Sequence, residues 1–189
     1  VSGHVEKPGT YEFPIGVPFR QILEAAGGIW RGGELKAFIP GGASAAMLSA
    51  EHIDIPMDFD NLAQAGSMLG SAAIIVMDEQ TCLVSSIARL AKFFAHESCG
   101  QCTPCREGTR WAQMTLDRIA RGDGTEADID LLERITNNMS GTALCALADA
   151  AVGPVRSLVR NFRHELEACI ANQGSPYPVR RYFSEGATS

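Results

Sequence analysis

The sequence has 189 residues, of which 46% are hydrophobic and 20% are charged, with 16 basic against 22 acidic side chains. This length and composition predict a globular chain of one or two domains, and no apolar run approaches the ~20 residues that a membrane-spanning helix needs. We therefore expect no direct membrane insertion. No basic stripe with interleaved aromatic residues is present, which argues against nucleic acid as a partner.

Charge divides unevenly along the chain. Residues 1–80 carry four basic and ten acidic side chains, whereas residues 81–189 carry twelve of each. This shift predicts a domain boundary near residue 80. The chain begins at Val1, in what is predicted to be a strand and without a leader-like stretch, so we expect a fragment of something longer.

Residues 1–80 predict a small unit that mixes strands and helices. Residues 1–5 and 11–15 have strand patterns and are joined by a Pro8-Gly9 turn, which predicts a hairpin. Apolar residues from Phe19 to Ala26 have helical spacing, and Gly27-Gly28 ends that helix. Further elements are predicted as strands at 36–39, 53–55 and 72–77 and as a short helix at 59–65. A hairpin, a helix and a strand in this order resemble a β-grasp unit.

From Thr81 onward the hydrophobic period is helical. We predict four helices: one leads into a cysteine-rich loop, one leaves that loop and ends near Arg121, one begins after the N-cap Thr125, and the last begins at about Pro154. Four helices with short connections predict a bundle over residues 81–171. The tail at 172–189 lacks periodicity and is predicted to be extended or partly disordered.

Four of the six cysteines form a pattern that indicates chemistry. Cys99, Cys102 and Cys105 have C-x2-C-x2-C spacing, and Cys145 follows after 39 intervening residues. One tight loop can present three sulfurs to a compact cluster while a separate segment supplies the fourth, as cysteine-ligated iron–sulfur clusters require. The spacing therefore predicts a [4Fe-4S] site with these four metal ligands.

The residues around these cysteines suit an anionic cluster. Thr103 followed by Pro104 predicts an N-cap and a first helical position, so that a helix N-terminus would favour anionic sulfur. Gly100 permits close approach of the backbone, and Ser98, Gln101 and Arg106 supply hydrogen-bond donors.

Two other interpretations of the cysteines remain open. Structural zinc also uses four cysteines, although its usual signature is two separated C-x2-C pairs. Disulfides are less favoured because the first three cysteines are crowded and no secretory signal is visible. Cys82 and Cys169 fall at helix positions where we predict ordinary buried or half-buried residues rather than ligands.

Several motifs together resemble the flavoprotein subunit of respiratory complex I. The resemblance runs from Val1 to about Glu167 and is carried by Ser2-Gly3-His4-Val5, Lys7-Pro8-Gly9, Ala25-Ala26-Gly27-Gly28, Ile39-Pro40-Gly41-Gly42, Met57-Asp58-Phe59-Asp60, Ala65-Gly66-Ser67-Met68-Leu69-Gly70, Glu97-Ser98-Cys99-Gly100, Cys102, Pro104-Cys105-Arg106, Gly108 and Cys145-Ala146-Leu147. The Ser-Cys-Gly-x-Cys-x-Pro-Cys-Arg motif is the specific part. NAD-reducing hydrogenases and NAD-dependent formate dehydrogenases share these domains.

The resemblance implies a fold, a ligand set and a role. The fold is α+β, with a β-grasp domain of the soluble-ligand-binding type at 1–80 and a four-helix iron–sulfur domain at 81–171. Cys99, Cys102, Cys105 and Cys145 are the implied ligands of a [4Fe-4S] cluster. The implied role is electron relay within an NADH dehydrogenase complex, on the cytoplasmic or matrix side of the membrane, next to a neighbouring iron–sulfur subunit.

The flavin and the nicotinamide are expected elsewhere. None of the glycine clusters fits a dinucleotide or phosphate-binding fingerprint. In the resembled family FMN and NADH are bound by a domain that precedes the β-grasp unit, so we expect this chain alone neither to bind nor to oxidise NADH. A rival hypothesis is a docking module that holds zinc or an inert cluster without a redox role.

Overall fold

A computed structural model of the chain describes residues 1–178. Four strands and seven helices in these residues run in the order β1 (Ser2–Gly3), α1 (Phe19–Ala25), β2 (Leu35–Ile39), β3 (Leu48–Ser49), α2 (Phe59–Gln64), β4 (Ile75–Asp78), α3 (Leu83–Glu97), α4 (Thr103–Arg121), α5 (Glu126–Met139), α6 (Leu147–Asn161) and α7 (Arg163–Ala171). The α+β class is as predicted. Within residues 1–178 no helix combines the length and apolarity needed to cross a membrane.

The four strands form one small sheet in the order β1-β4-β2-β3. β1 pairs with β4 in parallel, and β2 pairs with both β4 and β3 in antiparallel fashion. Successive side chains of a strand point to opposite faces. Phe38 packs in a cluster with α1, whereas Ala37 and Ile39 belong to the core formed by the helices α3–α7. The sheet is therefore shared by two hydrophobic cores.

Helix α6 lies directly against the first half of the chain. A Cβ atom at Gly153 would lie only 2.4 Å from the backbone oxygen of Ser44, so this contact requires a glycine. One turn later, the backbone N–H of Met47 donates to Ser157 Oγ at 2.9 Å. These contacts hold the helices and the sheet in one position. The domain boundaries at residues 80 and 171 remain predictions.

Two strand predictions in the first half are wrong. Residues 11–15 form no strand, because β1 pairs with β4 and the chain after it turns toward α1, where Lys7 N–H donates to Ala26 O at 2.9 Å. Residues 53–55 form no strand either, because the carbonyls of Ile53 and Ile55 accept from the first N–H groups of α1. The predicted α1, β2, α2 and β4 are present, although β4 begins at Ile75.

The helical half departs from prediction at its C-terminal end. The fourth predicted helix, expected from Pro154, is two helices: α6 begins at Leu147 and contains Pro154, and α7 follows after a non-helical Phe162 (φ −131°, ψ 32°). Alanine-rich residues 146–152 favour the early start, since alanine has the highest helix propensity. Of the predicted tail, residues 172–178 turn back onto α7, where the Tyr177 hydroxyl donates to Glu165 at 2.8 Å. Residues 179–189 lie outside the described part.

Candidate metal centre

Three of the four predicted ligands lie at the junction between α3 and α4. α3 ends at Glu97, a short loop carries Cys99, and Cys102 is the N-cap residue of α4. The predicted N-cap, Thr103, is instead the first residue of the helix. Gly100 has φ +80°, a conformation that a glycine adopts without strain. The loop therefore reverses direction within a few residues.

Arg106 holds this loop rather than a sulfur. Its Nη1 donates to the carbonyl of Gly100 at 2.7 Å, and its Nε pairs with Glu107 at 2.9 Å. The sequence predicted Arg106 as a donor near the cluster. In the structure that donor binds the backbone of the loop, where it fixes the left-handed turn.

A second loop, which carries Cys145, contacts the first. The backbone N–H of Leu144, next to Cys145, lies 3.5 Å from Cys102 Sγ. The turn before it is fixed by Asp149 in the first turn of α6, which accepts from the N–H of Gly141 at 2.9 Å. Sequence reasoning missed Asp149, whose only signal is an acidic residue in the first turn of a helix that was predicted to begin later.

The sulfurs have graded exposure. Cys99 and Cys145 are exposed, Cys102 is half-buried and Cys105 is buried. Leu144 is 90% exposed, so the second loop also stands at the surface. The four side chains are therefore arranged at the rim of the helical half rather than inside its core.

Hydrogen-bond donors face two of these sulfurs. Ser98 Oγ lies 3.3 Å from Cys105 Sγ and itself accepts from the N–H of Gly100 at 3.4 Å. A Cys105 thiolate carries no proton, so in that state the Ser98 hydroxyl is the donor. Leu144 N–H plays the corresponding part for Cys102. A backbone donor of this kind leaves no sequence signal.

This donor set suits a polynuclear cluster. Four thiols come from two loops that touch each other, next to the N-terminus of a helix of 19 residues, and two of the sulfurs face donors. Thiolate ligands, hydrogen bonds to sulfur and partial solvent exposure are the features that hold and tune iron–sulfur clusters. Within residues 1–178, the structure brings no three His, Cys, Asp or Glu side chains together in a group that could hold a metal ion, the four cysteines included.

Cys82 and Cys169 are not part of this site. Cys169 is buried in α7, and Cys82 is half-buried at the N-cap of α3, as the sequence predicted for both. Their sulfurs lie 3.8 Å from each other, which the sequence did not predict. These two cysteines thus form a pair of their own.

Two family models match the chain. Residues 85–169 match the NADH-ubiquinone oxidoreductase-F iron-sulfur binding region, and residues 1–46 match the SLBB domain. The first match contains all four predicted ligands.

Curated relatives and solved structures agree with these matches. The NADH-quinone oxidoreductase F subunit of Mycobacterium tuberculosis (strain ATCC 25618 / H37Rv) is 44% identical over 95% of this chain and 40% of its own length. The corresponding protein of Streptomyces coelicolor is 46% identical over 94% and 39%, and that of Rickettsia rickettsii is 48% identical over 90% and 41%. A crystal structure of an NAD+-reducing [NiFe]-hydrogenase in the H2-reduced state superposes with a TM-score of 0.79 at 34% identity, over 93% of this chain and 29% of that one. The chain spans about two fifths of the length of the curated relatives.

Proposed function

Because the chain carries the iron–sulfur binding region of NADH-ubiquinone oxidoreductase F together with an SLBB domain, we propose that it is the cluster-bearing part of an NADH dehydrogenase subunit. In this role it relays single electrons from a flavin toward the cluster of a neighbouring subunit. FMN and NADH belong to another part of the parent subunit. The same part of an NAD-reducing hydrogenase is the alternative parent, which the hydrogenase structure supports at 34% identity.

The ligand set in this proposal is Cys99, Cys102, Cys105 and Cys145. The contact of Leu144 N–H with Cys102 Sγ is the observation that carries it, because it joins the loop of the fourth cysteine to the loop of the other three. Spacing within the chain could not establish that contact. When bound, a cluster of this kind accepts and donates one electron at a time.

The protein residues hold and shield this site. Arg106 and Asp149 fix the two loops through backbone groups, at 2.7 and 2.9 Å. Ser98 and the N–H of Leu144 donate to ligand sulfurs, which stabilises the negative charge that thiolates carry. No side chain here acts as an acid, base or nucleophile in this function.

The proposal also covers the two domains of the chain and the place of the parent subunit in its complex. The first 80 residues form a β-grasp unit that supports the flavin-binding part, and residues 81–171 form the iron–sulfur domain, with α6 and α7 in place of a single fourth helix. Four large apolar side chains are exposed in the helical half, which supports contact with a neighbouring subunit there: Phe93, Trp111, Met114 and Leu144. The parent would then lie in the peripheral arm of its complex, on the cytoplasmic or matrix side.

The test is the iron content and visible absorption of anaerobically purified protein. We expect about four iron atoms per chain, by the cluster's own stoichiometry, and an absorption that dithionite bleaches. Cys102→Ser and Cys145→Ser should each lose or convert the cluster, whereas Cys82→Ser and Cys169→Ser should keep the iron. A colourless protein with stoichiometric zinc would instead establish the docking module.

A further inference from the structure

Cys82 and Cys169 form a close pair of thiols that the electron relay does not use. Cys82 caps α3, Cys169 lies in α7, and they are 87 positions apart in the sequence. The Sγ atoms lie 3.8 Å apart, and a disulfide needs about 2.05 Å. The two sulfurs are therefore in contact, and an approach of about 1.8 Å would bring them to bonding distance.

The surroundings of Cys82 favour its thiolate. Its Sγ accepts from the N–H of Ser85 at 3.5 Å and faces the Ser85 hydroxyl at 3.2 Å. It also sits at the N-terminus of a helix of 15 residues, where the helix dipole favours negative charge. The hydrogen bond from Cys169, followed by those from Ser85, lowers the pKa of Cys82.

Cys169 has the opposite character. The hydrogen bond that it donates to Cys82, together with its burial, raises the pKa of its thiol, and the nearby charges of Cys82 and Glu165 act in the same direction. Glu165 is itself buried and pairs with Lys36 Nζ at 3.1 Å. The two pKa shifts therefore favour the thiolate on Cys82 and the thiol on Cys169.

The two sulfurs also differ in how easily a small molecule reaches them. Cys82 lines an open cavity of about 170 Å³ together with His4, Asp78 and Gln80. Cys169 is 0% exposed. A water molecule occupies about 30 Å³, so the cavity admits a molecule the size of hydrogen peroxide. A small oxidant reaches Cys82 first and meets Cys169 only through it.

We propose that Cys82 and Cys169 are a redox modification site, in which a peroxide converts the two thiols into a disulfide that joins α3 to α7. The Cys82 thiolate attacks one peroxide oxygen and breaks the O–O bond, which gives a sulfenic acid on Cys82 and hydroxide. Hydroxide takes a proton and leaves as water. Cys169 then attacks the Cys82 sulfur, loses its proton, and expels the second oxygen as water. Two thiols and one hydrogen peroxide thus give one disulfide and two waters.

The site is independent of the cluster in sequence and space. α3 has 15 residues, so its two ends lie roughly 22 Å apart. Cys82 is at one end and the cysteine loop follows the other. The pair can therefore be oxidised without a cluster ligand taking part.

Trypsin separates the two sets of cysteines, which makes the test direct. Cleavage after lysine and arginine places Cys82 alone in peptide 37–89 and Cys169 alone in peptide 164–180, whereas the four cluster cysteines fall in 93–106 and 135–156. The full chain, purified anaerobically, is treated with one equivalent of hydrogen peroxide, blocked with N-ethylmaleimide and digested without reductant. We expect peptides 37–89 and 164–180 to be joined, with two hydrogens less than their summed mass.

Two variants and a pH series test the proposal further. Cys169→Ser should leave a Cys82 sulfenic acid that a 1,3-dione traps, and Cys82→Ser should leave Cys169 unmodified. Between pH 8 and pH 6.5 the rate of Cys82 alkylation should change by less than about twofold, whereas an ordinary thiol slows about 25-fold. Absence of the joined peptides in folded wild-type protein, or joining of Cys82 to a cluster cysteine, would overturn the proposal.

Discussion

The two ends of helix α3 carry cysteines in opposite settings. At its C-terminal end, the loops at 98–105 and 140–146, here called the cluster end, hold four cysteines of which two are exposed and only Cys105 is buried. At its N-terminal end, here called the pair end, Cys82 and the buried Cys169 contact each other. Sulfurs on surface loops leave room for an inorganic cluster between them. Two sulfurs in direct contact leave no space for a cluster between them, but they can form a disulfide with each other.

The cluster end also differs from the far end of α4 in the contacts that stabilise it. At the cluster end, Arg106 donates to the carbonyl of Gly100, and Asp149 accepts from the N–H of Gly141 and the hydroxyl of Ser140. The end of α4 remote from the cysteine loop has an ion pair between Arg118 and Asp128, and Asp128 also completes a capping box with Thr125. Protein contacts alone fasten this remote end. In the proposed function a cluster also joins the two loops of the cluster end, so removal of the metal should weaken that end and not the remote end of α4.

The largest expected difference follows removal of the metal. A cluster bound by Cys105 and Cys145 closes a loop of about 40 residues, which is worth about 4 kcal/mol by chain entropy alone and corresponds to about 10 °C in Tm. We therefore expect anaerobic chelation of iron to lower the Tm by about that amount. Scanning calorimetry of protein with and without iron measures it.

The pair end supplies the control for this experiment. The double variant Cys82→Ser, Cys169→Ser should show the same loss of Tm on chelation as the wild type, because its cluster ligands are intact. Equal melting temperatures with and without iron would show that the cluster does not fasten the two loops.

Features set by residues close together in the sequence were predicted better than contacts between distant segments. The N-cap Thr125 and the stop at Gly122 were predicted correctly, because caps and apolar spacing are local signals. The prediction of a hairpin with a second strand at 11–15 was wrong, because β1 pairs instead with β4, some 70 positions away. The contact between Cys82 and Cys169 has the same long range. Local pattern carries no information about which distant segments meet.

The loop that carries the first three candidate ligands was more predictable than the sheet, for a physical reason. Three ligands within seven residues are a local pattern, and the spacing of Cys99, Cys102 and Cys105 reports the geometry that they need. Cys145 was predicted as the fourth ligand as well, but the Leu144 donor was not, because its position depends on α6 beginning at Leu147, whereas the sequence suggested Pro154. Proline inside a helix usually breaks it. That rule led to the wrong boundary, because residues 146–152 favour helix strongly enough to continue through Pro154.

A smaller effect is expected at the remote end when Asp128 loses its charge. Asp128 is buried, accepts from Thr125 N–H at 2.8 Å and from Arg118 Nε at 3.3 Å, and Arg118 is about half exposed. Asp128→Asn should lower the free energy of unfolding by about 2 kcal/mol, between the values for exposed and buried pairs. Iron content should not change. Urea unfolding measures the loss, with the exposed Asp130→Asn on the same helix as the matched control.

The pH dependence of this difference identifies its cause. Burial by itself raises the pKa of Asp128, but hydrogen bonds from Arg118 and Thr125 outweigh it and hold the pKa below the usual value. A carboxyl whose folded pKa is lowered stabilises the protein above its unfolded pKa, and that stability is lost as pH falls through the folded pKa. The gap between wild type and Asp128→Asn should therefore shrink steadily below about pH 4. If the difference in free energy of unfolding between wild type and Asp128→Asn were the same at every pH, its cause would be packing instead of charge.

The smallest effect is expected at the cluster end, from a single hydroxyl. Ser98 Oγ lies 3.3 Å from Cys105 Sγ, and in a cluster ligated by Cys105 thiolate the hydroxyl is the donor. Such a bond favours the more negative, reduced state, so its loss lowers the midpoint potential. A hydrogen bond worth about 1 kcal/mol corresponds to about 40 mV for one electron. Ser98→Ala should therefore keep its iron and shift the potential downward by that order in a redox titration followed by paramagnetic resonance. Ser85→Ala, which removes the matching hydroxyl beside Cys82, should leave the potential unchanged, and an equal shift in both variants would show that the two ends of α3 are not independent.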